Sequence, residues 1–548
     1  MAIFAGIDVG TGSARAGLFD ATGRLLATAR HAIEIWREAG DIVEQSSDDI
    51  WAACSLALRA AIAEAGVAPA EVAGIGFDAT CSLVVLDAAG RPISVSPSGD
   101  RRRNVIVWMD HRAVGEARAI DESGDDMLRY VGGKISPEME MPKLLWLKKH
   151  KPAAFDAAGH FFDLADFLTW RATGSLARSV CTVTCKWTYL AHEGRWNDAF
   201  LTEIGLSDLA ADDHRRIGKD IVAPGTALAA GLTREAAADL GLPPGTPVAA
   251  GLIDAHAGGV GTLGGRTVSG APAHPLDRLG YIMGTSACIM ATTAEPSFVP
   301  GIWGPYYSAM MPGLWLNEGG QSTAGAAIDH LVRSHGAYPA AVSAASAAGE
   351  GILDHLEERI AGRVGTLSNA AVIARNLHVL PDFLGNRSPF ADPDVRAVIA
   401  GLSLEESIED LERVFVAGLC GLAYGLGDVV EAFRDKGIPT EAIVVSGGAS
   451  RSRLVRQILA DVTGLSVVLP ETEEPVLLGA AMLGAVAGRR HATLADAMTA
   501  MSRDGETSAP TPPEIIRFHA VKHEVHRMLQ RVDRDSRTMM APFDLDRM

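Results

Sequence analysis

Gly6-Ile7-Asp8-Val9-Gly10-Thr11-Gly12-Ser13, near the start of the chain, and Gly280-Tyr281-Ile282-Met283-Gly284-Thr285, 274 residues later, share one pattern: an apolar strand runs into a Gly-Thr turn. Around the first turn, Ile3 to Phe19 alternates apolar and small residues, and a second turn follows at Asp20 to Gly23. This predicts a strand, a tight turn and a returning strand. Recurrence of the motif predicts two lobes of like design facing each other across a cleft. In a glycine turn no side chain blocks the backbone N–H groups, which can converge on an anion. Thr11 and Ser13 add hydroxyls and Arg15 a charge, so the turn with Gly12 reads as a phosphate cradle, and Gly284-Thr285-Ser286 as its counterpart. Asp8, just ahead of the turn, is placed to hold a hydrated Mg2+ against those phosphates. Either turn alone is equally compatible with an ordinary hairpin.

Outward from these turns the pattern keeps alternating. Ser46 to Gly66 reads as a helix, with Ser46 or Ser47 as cap, Asp48 and Asp49 at its positive end and Gly66 as stop. Val72 to Asp78 and Leu83 to Asp87 read as strands, and the alternation favours an α/β architecture. A polar, proline-containing stretch from Gly264 to Leu279 marks the boundary between the lobes. Further on, the strand Ile443 to Ser446, the turn Gly447-Gly448, a helix from Ser450 to Gly464 and the strand Ser466 to Leu469 predict a βαβ unit. Gly447, Gly448 and Ala449 suit a backbone platform for adenosine, or simply a tight strand–helix junction. After Pro510, Pro512 and Pro513, a last helix from Glu514 to about Arg531 carries Phe518, Val521, Val525 and Met528 at helical spacing, for docking on the second lobe or on a partner subunit.

Bulk properties exclude several function classes. A chain of 548 residues needs more than one core, and 48% hydrophobic with 21% charged residues describes a globular protein. Its formal charge of −18, with no basic run longer than Arg101-Arg102-Arg103, argues against nucleic acid or an anionic membrane as partner. The apolar stretch Val476 to Gly488 is too short to span a bilayer, and the N-terminus lacks the pattern of a cleaved signal, so the expected location is cytoplasmic. Six scattered cysteines read as buried thiols or site residues. Cys181 and Cys185 are four apart, but no second pair completes a zinc site.

No GxxxxGK[ST] loop is present, so nucleotide must be held by other means. Asp254, in Gly251-Leu252-Ile253-Asp254-Ala255-His256, follows an apolar strand directly; there a carboxylate can take the proton of a hydroxyl attacking a phosphoryl group, or cap a helix. Two motifs read as decoys. Gly259 to Gly264 matches GxGxxG without opening a helix after a strand. His519, His523 and His526 read as a solvated basic face rather than a metal site.

In the order and spacing of these motifs, Ile3 to about Arg490 resembles the FGGY carbohydrate kinases, with closest likeness to the D-ribulose kinase group. The likeness rests on the run Gly6 to Arg15 and on Gly447-Gly448-Ala449-Ser450. It rests further on Phe77-Asp78-Ala79-Thr80-Cys81-Ser82, Trp108-Met109-Asp110-His111-Arg112, Pro142-Lys143-Leu144-Leu145-Trp146, Cys185-Lys186-Trp187-Thr188-Tyr189 and Asn317-Glu318-Gly319-Gly320-Gln321. The resemblance implies a two-lobed, actin-like and RNase H-like ATPase fold with a central cleft, using ATP and Mg2+ and working alone or as a homodimer. It divides the chain into an N-terminal lobe (1–264), a C-terminal lobe (279–490) and a helical extension (491–548). By the family pattern Asp254 is the general base, Asp8 the Mg2+ carrier, and Asp78, Ala79, Cys81, Lys186 and Glu318 line the sugar pocket with Asp254. Gln321 and Gly325 join the two turns and Gly447 to Ala449 around ATP. Ser446 and Ser452 depart from the Gly and Asn common in the family. The implied reaction is phosphorylation of D-ribulose to D-ribulose 5-phosphate. Its rivals are L-ribulose or another ketose or polyol as acceptor, and an actin-like regulatory ATPase that phosphorylates nothing.

Overall fold

β1 (Ile3–Val9) and β2 (Ser13–Asp20) form the expected antiparallel hairpin, with Asp8 opposite Arg15. This computed structural model describes residues 2–39, 41–511 and 513–543. Pro512 and the end of the expected 491–548 extension lie outside the described residues. β3 (Leu25–Ala32), β4 (Val72–Ala79) and the short β5 (Leu252–Ile253) complete a five-stranded sheet in the order β5-β4-β1-β2-β3. β4 runs parallel to β1 and sets Asp78 beside Asp8. Helix α1 (Ser47–Ala65) covers this sheet; Ser46 caps it by accepting the Asp49 N–H, and Gly66 ends it in the left-handed conformation, both as predicted. A second five-stranded sheet, including Leu83–Asp87 and Ala158–Asp163, extends the lobe. α2 (Val180–Lys186) and α3 (Asp254–Thr262) belong to the same lobe.

The second lobe repeats the scheme. β6 (Arg278–Met283) and β7 (Ala287–Thr293) form the matching hairpin. With β8 (Trp303–Tyr307), β9 (Trp315–Gln321), β10 (Ala442–Ser446), β11 (Ser466–Pro470) and β12 (Asp504–Ser508), they build a seven-stranded sheet in the order β8-β9-β7-β6-β10-β11-β12. As β1 is flanked by β2 and the parallel β4, so β6 is flanked by β7 and the parallel β10. Helices of this half include α4 (Gly325–Arg333), α5 (Ile408–Asp435), α6 (Arg453–Thr463), α7 (Pro475–Ala487) and α8 (Pro513–Met540). α5 is long and apolar enough to cross a membrane, and 89% of its most apolar window is buried inside the protein. Its uncharged run, Val414 to Gly427, is longer than the Val476–Gly488 stretch singled out above.

α7 departs from the simple division into lobes. Although it follows β11 in sequence, it packs on the first sheet, where glycines admit its backbone. A Cβ at Gly6, Gly74 or Gly76 would lie 2.0, 2.1 or 1.9 Å from the carbonyl oxygens of Leu477, Gly484 and Ala480. α3 and α7 cross with equally little space: a Cβ at Gly479 would lie 1.9 Å from the Ala257 oxygen, and one at Gly261 2.0 Å from that of Pro475. The rejected GxGxxG segment is thus largely helix α3: Gly261 serves this crossing, while Gly259 and Gly264 lie against the side chains of Met310 and Met498. The extension also proves less separate than its expected boundary. β12 pairs with β11 in the second sheet, and α8 docks on α5.

On α8 the expected burial pattern holds only in part: Phe518 and Val525 are half-buried. His519, Lys522, His526 and Leu529 are buried, whereas Val521 and Met528 are more than half exposed. Polar partners account for this. Tyr424 Oη lies 3.0 Å from His519 Nδ1, His523 Nε2 2.8 Å from Asp428, and Lys522 Nζ donates to the Ala374 and Leu377 carbonyls at 2.7 and 2.6 Å. The histidine face is therefore the docking face rather than a solvated one.

Candidate active site

The ends of β1, β4, β5, β6 and β9 converge on one cleft of about 280 Å3 between the lobes. Gly10, Thr11 and Arg15 line one side of it, and Gly284, Thr285 and Ser286 the other. The two turns close alike: Gly10 N–H donates to the Ser13 carbonyl at 3.1 Å, and Gly284 N–H to that of Ser286 at 2.8 Å. Thr11 is braced by Trp108, whose Nε1 donates to its hydroxyl at 2.9 Å, and by Gln45, which donates to its carbonyl at 2.6 Å. Gly12 has open space around it. Ser13 is turned away from the cleft and accepts from Arg30 Nε at 2.8 Å, so its hydroxyl braces β2 rather than facing phosphate.

The second turn rests on the start of α4. Gly325 N–H donates to the Gly284 carbonyl at 3.0 Å, and a Cβ there would come within 2.8 Å of that oxygen. Gly325 thus acts by allowing this approach. Gln321 likewise supports rather than lines the cleft: its side chain accepts from Tyr281 Oη at 2.6 Å and donates to the Leu422 carbonyl at 2.8 Å. Gly447 has φ 88° and lies against Met283, while Gly448 is open, so 447–449 form a shelf at the end of β10 beside the Gly284 turn. Ser452 caps α6 by accepting the Val455 N–H at 3.0 Å.

Carboxylates crowd the end of the first sheet. Asp8 accepts from Arg15 Nε at 2.7 Å, and Arg15 reaches on to Glu474 at 2.8 Å. Asp254, the first residue of α3, accepts the Ala255 N–H at 2.7 Å; burial, together with the charge of Asp8, pushes its carboxyl up to about 6. Asp78 is fully buried, neither carboxyl oxygen has a hydrogen-bond partner, and burial with the charges of Asp8 and Asp254 holds it well above the ordinary range. Contrary to expectation, Asp78 and Ala79 do not line the cleft. They are still within β4, packed between β1 and β5, and the chain reaches the cavity only at Thr80 and Cys81.

Opposite Asp254, Lys186 Nζ lies 3.9 Å from Glu318 Oε2 and 4.4 Å from the centre of the Trp303 ring. His256 Nε2 lies 3.2 Å from the same Glu318 oxygen. Burial alone would raise the Glu318 carboxyl, but Lys186 and His256 outweigh it and hold it at about 2. Arg387, half-buried in the second lobe, reaches Glu138 of the first at 3.2 Å and closes the far side of the cavity.

Glu138, Trp303 and Arg387 line the cleft without having been singled out in the sequence. An arginine inside Gly385-Asn386-Arg387-Ser388-Pro389 was a usable signal, since a charged residue in a glycine- and proline-rich loop has little structural work there. Trp303 carried none. Conversely, Asp110 and Arg112 of the Trp108 motif are structural: they join Glu44 in a buried ion-pair network, with Arg112 Nη2 2.8 Å from Glu44 Oε1.

Two like lobes, a glycine turn on each and a polar pocket holding the buried Asp254 carboxyl between them are the architecture of the actin-like, RNase H-like class. The chain belongs to the FGGY family of carbohydrate kinases: residues 3–261 match its N-terminal domain and 279–488 its C-terminal domain. It is 46% identical over 514 residues to an FGGY carbohydrate kinase domain-containing protein of Homo sapiens, covering 92% of each chain. With a D-ribulokinase of Saccharomyces cerevisiae it shares 38% identity, over 88% of this chain and 72% of that one. A xylulose kinase structure from Rhodospirillum rubrum superposes with a TM-score of 0.75 at 23% identity, covering 99% of both. The protein is a sugar kinase with the family's two-lobed fold, which sets aside the purely regulatory ATPase.

Proposed function

We propose that the enzyme transfers the γ-phosphoryl group of ATP to the primary hydroxyl of a ketopentose, D-ribulose, giving D-ribulose 5-phosphate. One observation carries this reading: Asp254, the Lys186–Glu318 pair and both glycine turns share a single cavity of about 280 Å3. That volume is small for a ligand pocket, which runs from roughly 300 Å3 upward, and suits a short polyol chain. Likeness to the yeast D-ribulokinase supports the choice of sugar.

In this mechanism Glu318, ionised by its neighbours, accepts hydrogen bonds from sugar hydroxyls while Lys186 donates to a sugar oxygen. Asp254 accepts the proton of the attacking hydroxyl; a carboxyl raised to about 6 is mostly ionised at neutral pH yet basic enough for the transfer. Backbone N–H groups of the two turns, with Thr11 and Thr285, hold the phosphates from both sides. The donor set at Asp8 is hard oxygen, partly balanced by Arg15, which fits Mg2+. Bound there with ATP, that ion would offset charge on the transferring group. Closure of the lobes, continued by Arg387 and Glu138, excludes water as a competing acceptor.

Incubating the protein with MgATP and D-ribulose and following phosphorus by NMR tests the reading. ADP together with a sugar phosphomonoester on the primary hydroxyl is expected. ADP with free inorganic phosphate only would refute it.

A further inference from the structure

Behind Glu318, on the side away from the cleft, three side chains of two helices meet with no role in the reaction as described. Cys181 Sγ, on α2, lies 3.0 Å from Nδ1 of His256, on α3. All three of Cys181, Cys185 and His256 are fully buried. The other ring nitrogen, Nε2, faces the Glu318 carboxylate.

Hydrogen-bond bookkeeping assigns the protons. An ionised Glu318 only accepts, so Nε2 carries a hydrogen. Cys181 sulfur is approached by the Ile253 N–H at 3.4 Å and by the Cys185 thiol, so it already acts as an acceptor. Two donors on the sulfur stabilise a thiolate and the Glu318 carboxylate at Nε2 stabilises an imidazolium, so the proton shared across the 3.0 Å Sγ–Nδ1 contact passes to the ring, which then carries two.

We propose that Cys181 and His256 form a buried thiolate–imidazolium pair that orients Glu318 for the sugar, making both positioning residues for substrate recognition. The inference rests on Glu318 as a sugar contact. Burial opposes both charges, but the Cys185 hydrogen bond and the nearby His256 bring the Cys181 thiol below its ordinary value, and the Cys181 charge with Glu318 raises the His256 ring. The remaining neighbours are compatible. Of the two carboxyls that face Cys181 from the segment before it, Asp163 is raised well above its ordinary range by burial, while Asp166, raised by burial to about 6, keeps its charge at neutral pH among Arg178, the Ser179 N–H and the Thr182 hydroxyl. Lys186, on the far side of Glu318, is held protonated by that carboxylate. Burial raises the other five thiols, so Cys181 alone ionises.

Physically, this pair joins Lys186 in keeping Glu318 charged in a place where burial would neutralise it. Lys186 is 3.9 Å away and lies over Trp303, leaving it free to turn to the sugar, whereas His256 holds the carboxylate from behind at 3.2 Å. Without Cys181 the ring falls back to a neutral form with either nitrogen protonated, and the orientation of Glu318 is lost in part.

Two measurements on the full chain test this. Thiolate absorbance in the ultraviolet at neutral pH should show one thiolate per chain, lost in Cys181→Ser and retained in Cys185→Ser. In steady-state kinetics Cys181→Ser should raise KM for D-ribulose about tenfold while KM for ATP and the melting temperature stay near the parent values, and Cys181→Asp, which restores an anion, should recover most of the loss. No thiolate, an unchanged sugar KM, or equal losses for sugar and ATP would overturn the proposal. So would zinc co-purifying one per chain, because the two thiols and the ring would then be its ligands. If the unaltered enzyme turned over no pentulose, the sugar assignment would fail, while the absorbance would still decide the pair.

Discussion

Gly479→Ala tests whether the crossing of α3 and α7 holds the base in register. Alanine normally stabilises a helix relative to glycine by about 1 kcal/mol. Here its Cβ would lie 1.9 Å from the Ala257 oxygen, against a closest approach of 3.0 Å for real Cβ atoms, and the obstacle is backbone. The helices must therefore part by about 1 Å. Ala257 is one turn from Asp254 on α3, so the proposed base moves with it. Displacement of about 1 Å in a reacting group costs on the order of a hundredfold in rate, and forced overpacking costs about 1 to 3 kcal/mol of stability. Gly362→Ala is the control, because that glycine also sits in a helix but has nothing within 4 Å. Thermal unfolding and kcat should separate the two variants: Gly479→Ala lowers both, and Gly362→Ala leaves kcat alone while raising stability slightly. Wild-type kcat and melting temperature in Gly479→Ala would refute the argument.

Other expectations follow from the site and the docked C-terminal helix. Asp8→Ala should weaken MgATP use and raise the Mg2+ requirement with little change in sugar affinity by calorimetry; loss of sugar binding would place Asp8 in the wrong pocket. Glu318→Ala should lower kcat/KM for D-ribulose at least about tenfold and narrow the preference over its epimers, measured by competition. His519 and His526 are held near 4 by burial, against about 6.5 in the unfolded chain, so the unfolded state binds more protons below 6.5. Stability present above pH 6.5 is then lost as the pH falls toward 4, by up to about 2 kcal/mol per ring at pH 5. Hydrogen exchange of α8 should rise accordingly; protection unchanged at pH 5 would contradict this.

How much could be read in advance depended on whether the information was local. The Gly-Thr turns, the α1 caps and the β10–α6–β11 unit were legible because turn chemistry and capping act over a few residues. Asp254, Lys186 and Glu318 were legible through their motifs, and the structure gathers them in one cavity. Packing across distant segments was not legible: the docking of α7 on the first sheet depends on glycines hundreds of residues from it. α8 misled because its most apolar stripe is not its buried one; partners offered by Tyr424, Asp428 and two backbone carbonyls decided the matter. Asp78 fell behind the pocket because its strand runs on through Ala79 before the chain reaches the cavity at Thr80, and no motif states where the strand ends.

The central claim is tested most directly by kcat/KM for ATP-dependent phosphorylation of D-ribulose, L-ribulose, D-xylulose, D-fructose and glycerol, with Asp254→Asn alongside the parent enzyme. A pocket that hydrogen-bonds each hydroxyl rejects a wrong centre at about 1 to 3 kcal/mol. D-ribulose should therefore exceed D-xylulose, D-fructose and glycerol by at least about tenfold. Asp254→Asn should lose about 10²- to 10⁴-fold in kcat with sugar affinity within about tenfold. Preference for glycerol or a hexulose, or near-normal turnover in Asp254→Asn, would contradict the account.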